Sequence, residues 1–423
     1  MKVYKFGGAS LIDAESIKNV TDIIANNRGT LIVILSAIGK TTNKLEDAFL
    51  ALEQKNHSVF RKLINDVYLE HLKIIDNLFI TKQYELLDEL ERIIVEINDR
   101  VNTTLSKNRD YEYDQIVSVG ELISSKIVEW YLNNSGLNTE LIDARKLIKT
   151  DGNFKNANVD LDKTSKLIKQ TCLDIKDNDK IYISQGFIGS SEEGHTTTLG
   201  RDGSDYTAAI FSYAINSDSL TIWKDVPGVL NADPKWFDNT VRLDHISFQE
   251  AIELAYYGAN VIHPKTIKPL QNKNIPLFVK SFKSPTETGT IIDKNITDDN
   301  LQASFIFKMN QLKLSITPKD FSFIAEDKLS IIFGRLSNVK AHINLMQNSA
   351  ISFDVVINNN ENIKDLVKKE FEQDFNIHFE DNLELVTIRH YDKETISRVT
   401  ENKEIILSQQ SQSTSRILMK DLL

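Results

Sequence analysis

Residues 2–35 read KVYKFGGASLIDAESIKNVTDIIANNRGTLIVIL, and this stretch decides the fold class. Residues 3–6 alternate like a strand and stop at Gly7-Gly8. A helical pattern follows over about 12–26, and residues 30–35 (TLIVIL) form a β-branched apolar run bounded by Gly29 and Ser36. Strand, helix and strand in that order make a βαβ unit, and a strand apolar on both faces belongs to a buried parallel sheet. The diglycine carries chemistry as well as geometry. Without Cβ atoms the backbone can approach a phosphate closely, and the helix start behind it presents free N–H groups with partial positive charge. Lys5, just before the pair, adds a full charge.

Outward from this unit, residues 43–108 contain neither Pro nor Gly. Their apolar residues recur at spacings of three and four (Leu63, Val67, Leu72, Ile75), which predicts a helical insert. Strand patterns return at 115–119, 139–143, 180–184 and 219–223, with a further candidate at 276–280. Pro285, Thr286, Gly289 and the run Asp298-Asp299-Asn300 suggest a linker over about 284–300. Beyond it, strands are expected at 312–317, 343–346 and 351–357, with helices near 328–336 and 362–372. A second round follows, with a strand at 385–389, a helix at 394–401 and strands at 404–407 and 415–419. Two βαββ-type halves imply a small α+β module, duplicated, behind the α/β body.

The chain has 423 residues, more than one ordinary domain, which suggests two or three. Its 41% hydrophobic and 26% charged content is ordinary for a soluble globular protein. A net charge of −10 argues against a general nucleic-acid binder, which shows a basic stripe. The single cysteine, Cys172, excludes an intrachain disulfide and a cysteine metal cluster, and it fits a reducing compartment. No targeting segment is evident before the first strand, and no apolar run of about 18 residues predicts a membrane span.

Five further segments carry candidate chemistry. Residues 36–43 (SAIGKTTN) follow a strand at the carboxyl edge where α/β ligands bind, and their small hydroxyls suit a small polar ligand. They are not a P-loop, because the first glycine of that motif would fall on Ile34. Residues 118–121 (SVGE) follow the expected strand QIVSV and put Glu121 in a first helical turn, where it either complements the helix dipole or receives a substrate ammonium. Residues 196–209 (TTTLGRDGSDYTAA) are the most informative. Ser204 or Asp205 can cap the helix that starts there, and Arg201 in a glycine-rich loop suits a bidentate contact to carboxylate or phosphate. Residues 223–235 (WKDVPGVLNADPK) and 257–264 (YGANVIHP) are turn-rich and weak by themselves; His263, before a proline, reads as structural. No His/Asp/Glu spacing suggests a zinc site, and no residue is assigned as a metal ligand.

These segments, in this order over about residues 2–292, resemble the aspartate kinases of the amino-acid kinase superfamily. The resemblance rests on Lys5, Phe6, Gly7, Gly8 and Ser10 of a Lys-Phe-Gly-Gly-Thr-Ser pattern, on residues 118–121, and on the Gly-Arg-x-Gly-Ser-Asp pattern at 200–205. Residues 225–228 (DVPG), Asp233-Pro234 and His263-Pro264 complete it. It implies a three-layer α/β/α sandwich with a mainly parallel sheet as a catalytic domain over 1–292, the helical insert at about 43–108 included. It further implies tandem ferredoxin-like α+β modules of the ACT type over 300–423, the second shortened after its third strand. By position, Lys5 and Asp205 would be the catalytic pair. Thr42, Glu121, Phe187, Arg201 and Ser204 would line the aspartate pocket. Lys5, Gly7, Gly8, Ser10, Ser36, Lys224, Asp225, Leu230, Lys235 and Asn260 would hold the nucleotide.

The chain departs from the family pattern at Ala9 and Asp202, at Lys224 in place of a threonine, at Leu230 in place of a tyrosine, at Lys235 in place of an arginine and at Asn260 in place of a lysine. The nucleotide half therefore departs more than the aspartate half, and Lys224 is expected to stand in for the lysine missing at 260 and to pair with Asp202. The resemblance implies transfer of the γ-phosphoryl group of ATP, with Mg²⁺, to the β-carboxylate of L-aspartate. The product would be 4-phospho-L-aspartate, the first step toward lysine, threonine and methionine. It also implies a cytoplasmic homodimer joined through the ACT-like region, with no nucleic-acid or membrane partner. Lysine or threonine is raised as an effector, although residues 342–352 match the family's effector-binding stretch only loosely. Two alternatives stand beside this reading: a kinase for another small amino-acid-like acceptor, and a degenerate amino-acid sensor of the same fold.

Overall fold

Lys2–Phe6 (β1) and Leu31–Leu35 (β2) pair in parallel, with Lys5 opposite Ile34, and Ala14–Ala25 (α1) connects them, as the βαβ reading requires. The computed structural model describes residues 1–423 except 104, 174–179, 260–261, 300–301, 321 and 423. All five residues of β2 are buried because both faces of its sheet are covered. Leu31, Val33 and Leu35 join the core formed with α1, while the alternate residues Ile32 and Ile34 are buried on the opposite face. Asp13 caps α1 by accepting a bond from the Ser16 N–H at 2.8 Å.

The 43–108 insert is helical as expected: Thr41–Glu53 (α2), His57–Leu78 (α3) and Tyr84–Asn98 (α4). The expected strand at 115–119 is not one. Arg109–Val117 (α5) and Val119–Asn134 (α6) are consecutive helices that meet at Ser118. Asn108 starts α5 by accepting from the N–H groups of Asp110 and Tyr111. Ile116, Val117 and Val119 are all buried, and a short apolar run packed on every side satisfies helix and strand alike. Glu121 nevertheless falls in the first turn of a helix.

The remaining strands of this sheet are Thr139–Ile142 (β3), Ile181–Gln185 (β4), Ser219–Lys224 (β7), His245–Ser247 (β8), Leu277–Ser281 (β9) and Thr290–Asp293 (β10). Ile188–Ser190 (β5) and Thr196–Thr198 (β6) form a separate hairpin. The sheet order is β3-β4-β2-β1-β7-β9-β10-β8, and every pairing is parallel except β9 with β10. β8 and β10 escaped the sequence pattern because they have three and four residues. β10 lies inside the stretch expected as a linker. Helices Ala144–Leu147 (α7), Leu161–Leu173 (α8), Gly203–Ile215 (α9), Phe248–Tyr257 (α10) and Pro264–Lys273 (α11) complete the α/β region. α9 packs on β1, β2 and β7, with α8 and α11 against it, and α6 packs on β2, β3 and β4.

Two compact units result. The first comprises Met1–Val229, Arg242–Ile252 and Asn260–Asp299; the second comprises Leu230–Val241, Glu253–Ala259 and Asn300–Leu423. The second unit holds one antiparallel sheet of six strands. They are Ser304–Pro318 (β11), Ile343–Asn348 (β12), Phe353–Asn358 (β13), Phe375–Arg389 (β14), Lys403–Gln410 (β15) and Thr414–Asp421 (β16), in the order β12-β13-β11-β14-β16-β15. Glu326–Asn338 (α12), Ile363–Phe371 (α13) and Lys393–Thr400 (α14) accompany it. The two halves read from the sequence share the long strands β11 and β14. Ser304 to Lys308 pair with Arg389 to Leu385 in one half, and Lys313 to Pro318 pair with Glu380 to Phe375 in the other. The N-terminal part of β11 thus adds a strand to the second half, beside its own β14, β16 and β15. Among the described residues no helix is long and apolar enough to cross a membrane.

Phe211 in α9 has no exposed surface, and α9 is the helix that sets the central layers apart. Phe211→Ala is expected to lower the unfolding free energy by about 3–5 kcal/mol, read from urea denaturation at matched m-values.

Candidate functional site

The period of β1 sends Lys5 to the same sheet face as Val3 and Ile34, which is the face on which α9 packs. Asp205 is in the first turn of α9. The two meet as a buried ion pair, Lys5 Nζ to Asp205 Oδ1 at 2.6 Å. Burial alone would raise the Asp205 carboxyl pKa, but the charges of Lys5 and Lys224 outweigh it and hold the group below the usual carboxylate range. Lys224 ends β7 on the other side. Burial lowers its pKa, and Asp205 pulls it back up.

Two glycines fix the backbone around this pair. A Cβ on Gly8 would lie 2.6 Å from the Gly39 carbonyl oxygen and 2.9 Å from that of Ala37, so the diglycine and the 36–40 loop can touch only without a side chain there. The Gly39 N–H donates to the Gly8 carbonyl at 3.1 Å across this contact. A Cβ on Gly186 would lie 2.5 Å from Ser204 Cβ, so that glycine lets the start of α9 sit against the end of β4.

A cleft of about 600 Å³ opens over the ion pair. Lys5 lines it from β1, Gly7, Gly8, Ser10 and Ser36 from the segments after β1 and β2, Thr42 from α2, and Glu121 from α6. Phe187, Arg201, Ser204 and Asp205 line it from the segments before and at the start of α9, and Lys224 and Asp225 from the end of β7. Leu230 and Lys235 are not among the lining residues; both fall in the second unit. Asn260 lies outside the described residues. The cleft also contains three residues that the sequence reading passed over: Glu46, Tyr113 and Lys155. Glu46 stands four residues after Thr42 on α2, a helical spacing that could have flagged it. Tyr113, which lies before the segment read as a strand, and Lys155 have no local signal.

Glu121 and Arg201, which line the same cleft, suit a zwitterion. Glu121 is buried; its Oε1 accepts the Ala37 N–H at 3.3 Å, and its Oε2 has no hydrogen-bond partner among the described residues. Burial pushes its pKa up to about 8. Arg201, by contrast, has a side chain that is 78% exposed, and its nearest carboxylate is Asp202 at 3.7 Å. Asp202 itself takes a left-handed φ of 55° between Arg201 and Gly203. An unpartnered buried carboxylate and an open guanidinium are complementary to an ammonium and a carboxylate on one small molecule.

The family model for the amino acid kinase family matches residues 1–281. Lysine-sensitive aspartokinase 3 of Escherichia coli (strain K12) is 32% identical over 359 residues, which is 83% of this chain and 76% of that protein. Aspartokinase 1, chloroplastic, of Arabidopsis thaliana is 36% identical over 332 residues, 74% of this chain and 56% of the longer plant protein. The crystal structure of E. coli aspartokinase III in complex with aspartate and ADP (R-state) superposes with a TM-score of 0.80 at 26% identity, covering 99% of this chain and 96% of that one. Its complex with lysine and aspartate (T-state) gives 0.81 at 27% identity, covering 99% and 95%.

Glu121 makes a signed prediction about pH. Its folded-state pKa, about 8, lies above the unfolded value of 4.5, so the folded protein holds the proton longer and stability falls as pH rises from 4.5 to about 8. Glu121→Gln removes this contribution. Chemical unfolding of the ligand-free protein at pH 5 and pH 8 should show a smaller loss of stability for the variant than for the wild type.

Proposed function

The chain belongs to the amino acid kinase family, and on that premise we propose that it works as an aspartate kinase, moving the γ-phosphoryl group of ATP onto the β-carboxylate of L-aspartate. One observation carries the reading. A single cleft holds a diglycine and two lysines together with a buried carboxyl group, Glu121, and an open arginine, Arg201. The acceptor carboxylate is ionised at neutral pH, its ordinary pKa being about 4, so no general base is required. The difficulty is to bring that anion to a triphosphate, and catalysis therefore rests on alignment and neutralisation of charge.

Lys5 and the amides of Gly7 and Gly8 take the oxygens of the transferring group, and Asp205 keeps Lys5 oriented toward them. Lys224 and Asp225, with Ser10 and Ser36, border the nucleotide end, and Leu230, Lys235 and Asn260 remain assigned to it by the resemblance. At the acceptor end Arg201 takes the α-carboxylate, Glu121 the ammonium, and Thr42, Ser204 and Phe187 the walls. Mg²⁺ would enter on the phosphates, since this ion is usually held by substrate phosphates and one or two carboxylates. Asp202 and Asp225 are the carboxylates of the cleft open to it. When bound, the ion would offset the charge of the phosphates, with Asp202 and Asp225 placed to help hold it. The first unit, with residues up to about 292, is the catalytic domain. Residues 300–423 form the regulatory ACT-type pair, through which the protein dimerises in the cytoplasm. Lysine is favoured over threonine as an effector by the relative named as lysine-sensitive and by the lysine complex of E. coli aspartokinase III.

Aspartate-dependent ADP release, with the acyl phosphate trapped by hydroxylamine, is expected for L-aspartate and not for L-glutamate or N-acetyl-L-glutamate. Equal release with all three would sink the assignment. Lys5→Met is expected to cut kcat by about a thousandfold or more while circular dichroism shows a folded protein, because charge stabilisation at the transferring group is lost.

A further inference from the structure

Lys155 occupies a place where a side chain is costly. Its φ is 67°, in the left-handed region, which is strained for a residue other than glycine and persists only where the surroundings enforce it. The enforcement is visible. Its N–H donates to Asp114 Oδ2 at 2.9 Å, and the same buried carboxylate accepts from the Thr198 N–H at 2.9 Å and the Thr198 hydroxyl at 2.6 Å. The Ala157 N–H donates to the Thr198 carbonyl at 2.9 Å, so the segment around Lys155 is laced to the strand that leads into Gly200-Arg201. The side chain then reaches back into the cleft, with Nζ 4.7 Å from the centroid of the Tyr113 ring. The Tyr113 hydroxyl is itself fixed, donating to Glu46 Oε1 at 2.5 Å. The ammonium is thus seated on an aromatic face, which orients a cation without neutralising it.

We propose that Lys155, seated on Tyr113, determines acceptor specificity by binding the α-carboxylate of the amino acid jointly with Arg201. The inference rests on the aspartate kinase reading. It concerns the α-carboxylate because the loops carrying the two cations touch next to them: a Cβ on Gly200 would lie 2.5 Å from Asn156 Oδ1, and Arg201 and Lys155 are the residues adjoining that contact. The β-carboxylate must point the other way, toward Lys5. Arg201 alone is a loose clamp, being largely exposed. A second cation held by a fixed loop converts it into a two-point grip on one carboxylate.

Three variants test this by steady-state kinetics and by calorimetric titration of L-aspartate. Lys155→Met is expected to raise KM for aspartate about tenfold, the value of one charge-assisted contact, with kcat and KM for ATP within about twofold. Lys155→Arg should restore most of the affinity. Lys155→Gly relieves the left-handed strain, so its Tm should hold or rise while its aspartate KM rises as for Met, a split that a purely structural role would not produce. With the α-amide of aspartate, which keeps the β-carboxylate, wild type and Lys155→Met should become alike. An unchanged aspartate KM in Lys155→Met, or the same handicap on the α-amide as on aspartate, would overturn the inference. A wild type that binds aspartate but does not turn it over would count against the kinase reading alone, and the calorimetric affinities would still decide for or against Lys155.

Discussion

A lysine and an aspartate that come from distant parts of the chain are held 2.6 Å apart in the interior, between the central sheet and the helix laid across it. Taking each charge out of water costs several kcal/mol even after relaxation, and mutual attraction offsets that only when the geometry is good. The surrounding backbone is arranged around this demand. β1 must point Lys5 toward α9, α9 must begin where its first turn reaches the end of β1, and Gly186 must lack a side chain so that Ser204 can come close. Lys224 on the neighbouring strand leaves the buried group with an excess of positive charge over Asp205 alone, which is what a site for phosphate oxygens needs.

Glu121 in the same cleft is a buried carboxyl of the opposite kind: one of its oxygens has no hydrogen-bond partner among the described residues, and burial pushes its pKa up to about 8. A ligand ammonium would supply the missing counter-charge and shift Glu121 toward its ionised form, so ligand binding and proton release are coupled at this position. Arg201 and Lys155, by contrast, are exposed, where solvent lowers the cost of holding a charge.

The second unit is organised by two strands of 15 residues each, which run through both halves of its sheet. Leu230–Val241 belongs to this unit through the stacking of Phe237 on Phe305 at 4.6 Å and through the Phe305 N–H donating to the Asn231 carbonyl at 2.7 Å. The segment that the family pattern assigns to the nucleotide is thus part of the core that the C-terminal sheet builds. Arg398 over the Phe237 ring at 4.1 Å ties it further to α14.

Much of this protein could be read from local pattern. The βαβ start, the helical insert, the strands at 139–143, 180–184 and 219–223 and the appended α+β region all follow from periodicity and from turn residues, which act over a few positions. So did most of the candidate cleft residues, because Gly7-Gly8, Glu121 and the Gly200–Asp205 loop carry their chemistry within short segments. Tertiary structure alone decided that 115–119 is helical, since an apolar run buried on all sides has no period to distinguish helix from strand. It alone sent Leu230 and Lys235 into the second unit. It alone brought Tyr113 and Lys155 to Glu46 in one wall, because cation–aromatic seating, a tyrosine-to-carboxylate bond and a shared buried carboxylate are contacts between residues far apart in sequence, and no local pattern encodes them.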